Sequence, residues 1–363
     1  MDRVKKERDK KYLYIEIMRI VAVFFVIFNH TGNKGFFLFS QYPIGGIPFW
    51  LYLIVSVFCK FSVPLFFMIS GALLLEKEES LTVLWRKRIF RMICTLLLIS
   101  IVYYCEMLRA DSEMINIKQF IQILYSGKHK YHLGFLYTYI VFLITLPFIR
   151  CMVREMKTHH FYYMIISALF MCGVLPVGEY LIWKGHYTIV WEVKSLWLVH
   201  TVVLYPCLGY FCQYIINLEK NRNILFYIWA VNILGIALSC FMTYYKGQYT
   251  GVLSETESQT FHSSFVILNA MAVYLSFKYI FQYWHCLPQS EKIILSIGKC
   301  TFGIYLIHPM IMGNKFIKTL FLNLIEKGVN HMVAVCVYCF VIMLISYIIV
   351  FIIRKMPILN ALI

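Results

Sequence analysis

The chain consists of long apolar stretches separated by short polar ones along its whole length. Apolar runs of about 20 residues recur, each long enough to cross a hydrocarbon core about 30 Å thick as an α-helix. No segment shows the short alternating pattern of a membrane β-barrel strand. The pattern predicts an all-α fold, a polytopic transmembrane helical bundle of about ten helices. The predicted spans are residues 12–32, 48–75, 87–108, 133–150, 161–182, 195–216, 224–245, 263–281, 297–317 and 332–353.

Composition supports lipid as the main solvent of this chain. Hydrophobic residues make up 61% of it and charged residues only 14%, whereas soluble domains have about 25% charged residues. The net charge of +16 would suit a nucleic-acid-binding protein, but the basic residues lie at the ends of apolar runs and form no stripe on a soluble face. We therefore expect contact with membrane lipid and no nucleic-acid partner.

The distribution of basic residues predicts the orientation. The basic N-terminus resembles that of a signal peptide, but the apolar run after it contains Glu16 and Arg19 and has no small-residue cleavage site, so we expect it to remain as the first helix. Ten spans place both termini on one side, and the loops of that side carry 20 Lys and Arg residues against 11 on the other. The positive-inside rule then predicts a multi-pass protein of the cell membrane with both termini in the cytoplasm.

The sequence shows no internal repeat and no soluble stretch large enough to bury its own core. It therefore predicts a single integral membrane domain over residues 1–363. Cys336 and Cys339 form a C-x-x-C pair inside an apolar run, where small apolar residues are the simpler interpretation. No Cys or His group has metal-site spacing, so no metal is expected.

The first span carries the least expected polar residues. A charge in the middle of a membrane helix costs about 2.5–3.5 kcal/mol, so each one needs a partner or a use. Glu16 and Arg19 are three residues apart and can pair on one helix face. Arg19 and His30 are eleven apart, which brings them to within about 20° of one direction and separates them by about 16 Å. Asn29 lies beside His30 and can hydrogen-bond to it or to a substrate. The competing interpretation is an interfacial pair that fixes helix tilt and a histidine that only packs.

Three other segments combine polar residues with helix breakers or basic clusters. Lys87, Arg88 and Arg91 begin the third span, where they can hold phosphate groups in two planar guanidinium forks or simply bind anionic lipid head groups. The segment 62–71 contains a proline and Ser70, and the segment 303–309 contains Tyr305 and His308. Packing explains the last two segments about as well as chemistry does.

These motifs, in this order, resemble the integral-membrane acyltransferase-3 family, and within it the single-domain O-acetyltransferases of the enterobacterial common antigen type. The resemblance spans residues from about 14 to about 310. It rests on Arg19 and His30 as R-x10-H with Glu16 where Asp is usual, Ser62–Gly71, Arg88 and Arg91 as R-x-x-R, and Tyr305–His308.

The resemblance implies a membrane O-acyltransferase. Acyl-CoA, most simply acetyl-CoA, is the implied donor substrate, with no bound cofactor, and its phosphates dock on Lys87, Arg88 and Arg91. His30 is the implied general base, and Arg19, held by Glu16, orients the donor. The acceptor is a hydroxyl of a cell-envelope polysaccharide or of a lipid-linked glycan precursor. Second-rank candidates for substrate or oxyanion contacts are Asn29, Ser70, His132, Tyr305 and His308.

One position departs from the family pattern. The stretch His132–Leu136 usually has Trp at its third position, where this chain has Gly134. The departure removes an aromatic ring that could stack on the acceptor, although Phe135 and Tyr137 are adjacent.

Two other function classes fit parts of the sequence. A glycan transporter would also have about ten helices with buried charges, but the two halves show no matching interruptions. A scaffold of an envelope-assembly complex would leave His30 and the basic cluster independently dispensable.

Overall fold

The computed structural model describes residues 2–111, 115–127, 131–190, 196–251, 253, 261, 263–282 and 287–362. Every regular element of these residues is helical, which confirms the predicted all-α class. The α-helices are α1 (Asp2–Asn29), α2 (Ile47–Cys59), α3 (Ser62–Leu74), α4 (Leu81–Leu84), α5 (Phe90–Asp111), α6 (Ile117–Ser126), α7 (Gly134–Glu155), α8 (Thr158–Leu169), α9 (Leu175–Trp183), α10 (Thr201–Tyr210), α11 (Asn223–Thr250), α12 (Val266–Gln282), α13 (Pro288–Gly313), α14 (Lys315–Glu326), α15 (His331–Ile353) and α16 (Pro357–Leu362). Turns of π-helix at Trp85–Ile89, Phe170–Val174 and Phe211–Ile215 continue α4, α8 and α10.

Within the described residues, seven helical stretches are long and apolar enough to cross a membrane, and they form a polytopic bundle. The shorter apolar helices Thr201–Ile215 and Val266–Phe281 lie at the sixth and eighth predicted spans, and α1 runs through the first. The predicted number of ten is thus reached only with these three included. The seven are Ile47–Leu74, Leu81–Arg109, Gly134–Glu155, Thr158–Trp183, Asn223–Thr250, Pro288–Gly313 and His331–Ile353.

Hydropathy misplaced some helix ends and missed several helices outside the predicted spans, among them α6 and α14. The ninth span begins at Pro288 instead of 297, because its first turns carry polar residues that a helix tolerates where it leaves the hydrocarbon. The helices α6 and α14 were not predicted. Both are amphipathic, with apolar residues on one face only, so their mean hydropathy stays low.

The second span is broken in its middle. It was predicted as one helix, but α2 ends at Cys59 and α3 begins at Ser62. Pro64 has no N–H, so the carbonyl of Lys60, four residues earlier, loses its intrahelical donor. Asn29 of α1 donates from Nδ2 to the Cys59 carbonyl (3.3 Å) and to Ser62 Oγ (3.0 Å). Since lipid offers no hydrogen bonds, such side chains stabilise the break.

Glycines allow α3 and α10 to pack backbone against backbone. A Cβ atom added at Gly71 would overlap the carbonyl of Pro206, and one at Gly209 would overlap the carbonyl of Met68. Small residues permit this close approach in membranes, where packing replaces the hydrophobic effect as the main attraction between helices. The contact fixes the C-terminal half of α3, which carries Ser70.

Candidate functional site

Two cavities lie inside the bundle. The first, called here the basic cavity, has a volume of about 340 Å³ and contains Arg19, Lys87, Arg88, Arg91 and Lys299 on its walls. Five basic side chains converge on it from three helical segments. The second, called here the histidine cavity, has a volume of about 700 Å³ and is lined by His30, Asn29 and Lys60 together with hydroxyl groups of the facing helices.

The two cavities follow one another along the helix axes. On α1, Arg19 lines the basic cavity and His30 lines the histidine cavity. On α3, which runs in the opposite direction, Ser70 lines the basic cavity and Pro64 the histidine cavity. The sequence expectation of one polar face from Arg19 to His30 therefore becomes two chambers, one towards each membrane surface.

Aromatic rings line the basic cavity, and one of them also packs against the imidazoles. Phe66, Phe135 and Tyr305 line the basic cavity. The ring centroid of Phe135 lies 6.2 Å from that of Phe66 and 5.1 Å from that of Tyr305. The Tyr305 ring is in turn 5.9 Å from the imidazole of His308. We call Phe66, Phe135 and Tyr305 the aromatic partition, because they separate the basic side chains from the imidazoles.

His30 is held by His308. The Nδ1 atom of His30 lies 3.0 Å from Nε2 of His308, and the two rings are stacked with centroids 5.1 Å apart. The Nδ1 atom of His308 lies 2.7 Å from the backbone carbonyl of Tyr305. This carbonyl lacks its usual intrahelical donor because the residue four positions later is Pro309.

The bonding pattern assigns the protons on both rings. A carbonyl only accepts, so His308 donates from Nδ1 to Tyr305. The His308 ring is fully buried, where a charge would be costly, so it is neutral and its Nε2 accepts. His30 must then donate from Nδ1, which leaves the lone pair of its Nε2 available to a proton. A helix-breaking proline in α13 thereby selects the tautomer of a histidine on α1.

His132 completes a group of three imidazoles. Its ring centroid lies 6.3 Å from that of His30 and 5.8 Å from that of His308. The hydroxyl of Tyr305 donates to the His132 carbonyl, so that this hydroxyl is not directed at the basic cavity. Tyr103 packs against the His132 ring at 5.0 Å and donates to the Leu306 carbonyl at 2.9 Å. Of the described residues, no group of three or more His, Cys, Asp or Glu could hold a metal ion.

Glu16 and Arg19 form an ion pair, with Arg19 Nη1 2.7 Å from Glu16 Oε1. Glu16 is buried against Gly298 of α13, where any added Cβ would overlap its side chain. The Arg19 side chain remains 30% exposed and reaches the basic cavity. The carboxylate of Glu16 therefore holds the guanidinium of Arg19 at the wall of the basic cavity.

The basic cluster of the cavity begins in a π-helical turn. Lys87 and Arg88 belong to the π turn Trp85–Ile89 and Arg91 to the start of α5, and all three line the basic cavity. Such turns occur frequently at functional sites. Spacing alone did not reveal this turn.

The guanidinium of Arg88 is already paired with a carboxylate of the protein, which the sequence did not predict. Its Nε and Nη2 atoms donate to both oxygens of Glu79, at 3.0 and 2.7 Å. Arg150 donates to the same carboxylate at 3.0 Å and to the Leu74 carbonyl at 3.0 Å. The hydrogen bond from Arg88 and the second one from Arg150 lower the pKa of Glu79 to about 2. The cluster behind the cavity is thus a fixed Arg–Glu–Arg arrangement.

Arg91 and the remaining candidates are placed as follows. The Nε atom of Arg91 lies 3.4 Å from the Leu362 carbonyl of α16. Ser70 lines the basic cavity. Asn29 lines the histidine cavity, but its amide nitrogen is engaged at the break of the second span and not with His30. Around Gly134 no atom lies within 4 Å of an added Cβ, so packing does not explain the missing Trp.

Sequence reasoning missed three residues of this region. Lys60 lies inside the second predicted span, four residues before a proline, where α2 ends. Glu79 is one of several charged residues in a polar loop, and nothing in the sequence distinguishes it from its neighbours. Tyr103 gave no signal, because one tyrosine in an apolar helix looks like any other core aromatic.

The family comparison covers almost all of this architecture. The sequence profile of the acyltransferase-3 family, described as an acyltransferase domain, matches residues 12–351. That range includes both cavities and every candidate residue. No curated protein and no solved structure matches the chain, so the narrower likeness to the enterobacterial common antigen type stays a prediction.

Proposed function

This chain belongs to the acyltransferase-3 family and is a multi-pass membrane acyltransferase, and from that premise we propose that it moves an acetyl group from acetyl-CoA to a glycan hydroxyl. One observation carries the proposal. The relay of Tyr305 carbonyl, His308 and His30 presents the lone pair of His30 Nε2 beside a cavity large enough for a sugar.

The basic cavity suits the phosphates of the donor. Lys87, Arg91 and Lys299 lie on its wall beside Arg88 and Arg19, which are paired with Glu79 and Glu16. Ammonium and guanidinium groups both donate to phosphate oxygens. Glu79 and Arg150 hold the plane of Arg88, so little conformational freedom is lost when a phosphate binds. The acyl end of the donor then points along α1 towards His30.

The chemical step is a direct transfer. The acceptor oxygen attacks the thioester carbon while its proton moves to Nε2 of His30, and the C–S bond breaks as the tetrahedral intermediate collapses. The thiolate leaves and takes the proton back from His30. His308 accepts the Nδ1–H bond throughout and stabilises the transient imidazolium, while His132 lies next to both rings.

The placement of the cavities suits a reaction across the membrane. The basic cavity belongs to the side that the positive-inside rule assigns to the cytoplasm, where both termini of the cell-membrane protein would lie. The histidine cavity belongs to the opposite side, where a cell-envelope polysaccharide or lipid-linked precursor would bind. The acetyl group alone has to pass the aromatic partition.

The test is transfer of label from radiolabelled acetyl-CoA by the purified protein in nanodiscs, with and without crude envelope glycan, for the wild type and His30→Ala. His331→Ala is a matched control, because that imidazole contacts the Lys34 carbonyl outside the site. We expect labelled glycan with the wild type and the control only.

The same experiment separates an enzyme from a glycan exporter. An exporter would leave acetyl-CoA intact in every condition and retain glycan binding. It would also tolerate His30→Gln with a modest loss of transport, whereas an acyltransferase would lose its general base and with it about 10²–10⁴-fold in rate.

A further inference from the structure

A third cavity, called here the C-terminal pocket, lies beside α16, at the N-terminal half of α13 and the end of α15. Its volume is about 460 Å³, and Lys292, Lys299, Arg354 and Lys355 lie on its walls. Lys299 also lines the basic cavity, so the two spaces meet at one side chain. They therefore lie on the same side of the bundle, which the positive-inside rule assigns to the cytoplasm.

The four cations of the C-terminal pocket have no carboxylate partner in the part of the chain that the structure describes. None of the described lining residues is Asp or Glu, and the adjoining residues outside that part, 283–286 and 363, include neither. Glu291 is adjacent to Lys292 in the sequence but does not line the pocket. This concentration of positive charge favours an anionic ligand.

Arg354 is oriented by neutral groups of two helices. Its Nε atom donates to Oδ1 of Asn360 in α16 at 3.1 Å, and its Nη1 atom donates to the Lys299 carbonyl of α13. Because both acceptors are neutral, they fix the guanidinium without compensating its charge, and little side-chain freedom is lost when an anion binds. The charge of Arg354 also acts on Arg91 of the basic cavity.

The C-terminal pocket has an aromatic wall as well. Phe351 of α15 lines it and is 45% exposed, and Nζ of Lys355 lies 5.4 Å from the centroid of its ring. Aromatic rings stack on nucleobases, while nearby cations hold the phosphates that nucleotides carry. A phospholipid head group has a phosphate but no planar ring. The combination therefore favours a nucleotide over a lipid.

The acyl donor of the proposed reaction has such a nucleotide. Coenzyme A carries a diphosphate in its middle and a separate 3′-phosphate on the ribose at its adenosine end. The basic cavity, at about 340 Å³, is at the lower end of the range for drug-sized ligands, and the coenzyme is larger than those. Its adenosine end needs a second space that adjoins the first.

We propose that the C-terminal pocket binds the adenosine 3′-phosphate of the acyl donor, with Lys292, Arg354 and Lys355 on the phosphate and Phe351 against the adenine. This inference rests on the proposed function. The diphosphate stays in the basic cavity, and Lys299 lies at the junction of the two spaces. The pocket thereby distinguishes acetyl-CoA from thioesters that lack the 3′-phosphate.

The experiment compares donors that differ by one phosphate. Acetyl-CoA, 3′-dephospho-acetyl-CoA and acetyl-pantetheine are given to the purified protein in nanodiscs, with crude envelope glycan as the acceptor. The variants are Lys292→Met and Lys355→Met, which remove a charge and keep the length, Lys292→Arg, which keeps the charge, and Phe351→Leu. Lys315→Met is the matched control, an exposed lysine of α14 outside the pocket.

We expect Lys292→Met and Lys355→Met each to raise the KM for acetyl-CoA by about three- to tenfold, and the KM for 3′-dephospho-acetyl-CoA by less than about twofold. Lys292→Arg should keep most of the affinity. Phe351→Leu should raise the KM for both nucleotide donors but not for acetyl-pantetheine. Equal rises with and without the 3′-phosphate, or a wild type that uses both nucleotide donors equally well, would overturn the proposal.

A lipid head group offers the same phosphate chemistry, and a separate arm distinguishes it. Phosphatidylglycerol that copurifies with the wild type but not with Lys292→Met, together with KM values that are independent of the 3′-phosphate, would assign the pocket to a lipid and overturn the proposal.

Calorimetric titration of adenosine 3′,5′-bisphosphate into the wild type and Lys292→Met needs no turnover and keeps this inference separate from the proposed function. If acetyl-CoA is never consumed but the bisphosphate binds in a Lys292-dependent way, the acyltransfer proposal fails and the nucleotide site stands. Consumption of acetyl-CoA with binding that does not depend on Lys292 gives the reverse result.

Discussion

The Nδ1 atom of His30 on α1 lies 3.0 Å from Nε2 of His308 on α13, so two histidines 278 residues apart act as one hydrogen-bonded unit. The unit has a direction, because Pro309 leaves the Tyr305 carbonyl to His308. Five predictions follow from this unit, from the basic cluster behind the first cavity and from the helix packing that holds both.

Removing His308 should lower kcat with little change in KM for acetyl-CoA. Without its acceptor, His30 loses the bond that fixes its tautomer and ring plane, and we expect His308→Ala to lose about 10²-fold in kcat. His308→Gln offers a carbonyl oxygen to the same N–H and should recover part of the rate. Steady-state kinetics of both variants give the answer, and a rise in KM alone would assign His308 to donor binding instead.

Pro309→Ala should separate stability from activity. Alanine restores a backbone N–H that bonds to the Tyr305 carbonyl and competes with His308 for it. We expect a higher Tm in detergent together with a several-fold lower kcat. A variant that is stabilised but fully active would show that the tautomer of His30 does not depend on this carbonyl.

Glu79→Gln should raise the KM for acetyl-CoA by about three- to tenfold and leave kcat unchanged, because Arg88 loses the bidentate partner that fixes its plane. Glu78→Gln is the matched control, since that exposed carboxylate pairs with Arg154 on the surface. Acetyl-pantetheine lacks the phosphates, so both variants should use it like the wild type. A lower KM in Glu79→Gln would mean that the carboxylate competes with the donor.

The same carboxylate predicts the response to acid. The folded-state pKa of Glu79 is about 2, below the ordinary value of 4.5, so its pairing contributes stability above about pH 4.5 that is lost as the pH falls towards 2. The KM for acetyl-CoA should therefore stay flat between pH 5 and pH 8 as far as Glu79 is concerned. A KM that rises in this range in the wild type, and not in Glu79→Gln, would contradict the low pKa.

Gly209→Ala should destabilise the bundle by roughly 1–3 kcal/mol or more, because the new methyl group meets the Met68 carbonyl of α3. Gly178→Ala is the control, since nothing lies within 4 Å of its added Cβ. Thermal unfolding in detergent measures both. Equal Tm values would show that α3 and α10 separate at no cost.

The sequence predicted the helical class, the positions of most spans and the paired Glu16 and Arg19, because each depends on local composition or on spacing within one helix. It did not predict the His30–His308 contact, which joins residues 278 apart. It also did not predict the pairing of Glu79 with Arg88, nine residues apart, because that pair depends on how the short helix α4 folds the chain between them. The π turn at Trp85–Ile89 and the separation of Arg19 from His30 into two cavities depend on how neighbouring helices pack. Hydropathy carries no information on any of these.

The aromatic partition also bears on the energy balance of a cell that makes this protein. In a membrane enzyme with substrates on both faces, a continuous polar path between them would let protons flow down the membrane potential. The rings of Phe66 and Phe135, which pack edge to face in the partition, carry no group that donates or accepts a proton. In the proposed acetyl transfer, these two phenyl rings place an apolar barrier to protons beside the path of the acyl group.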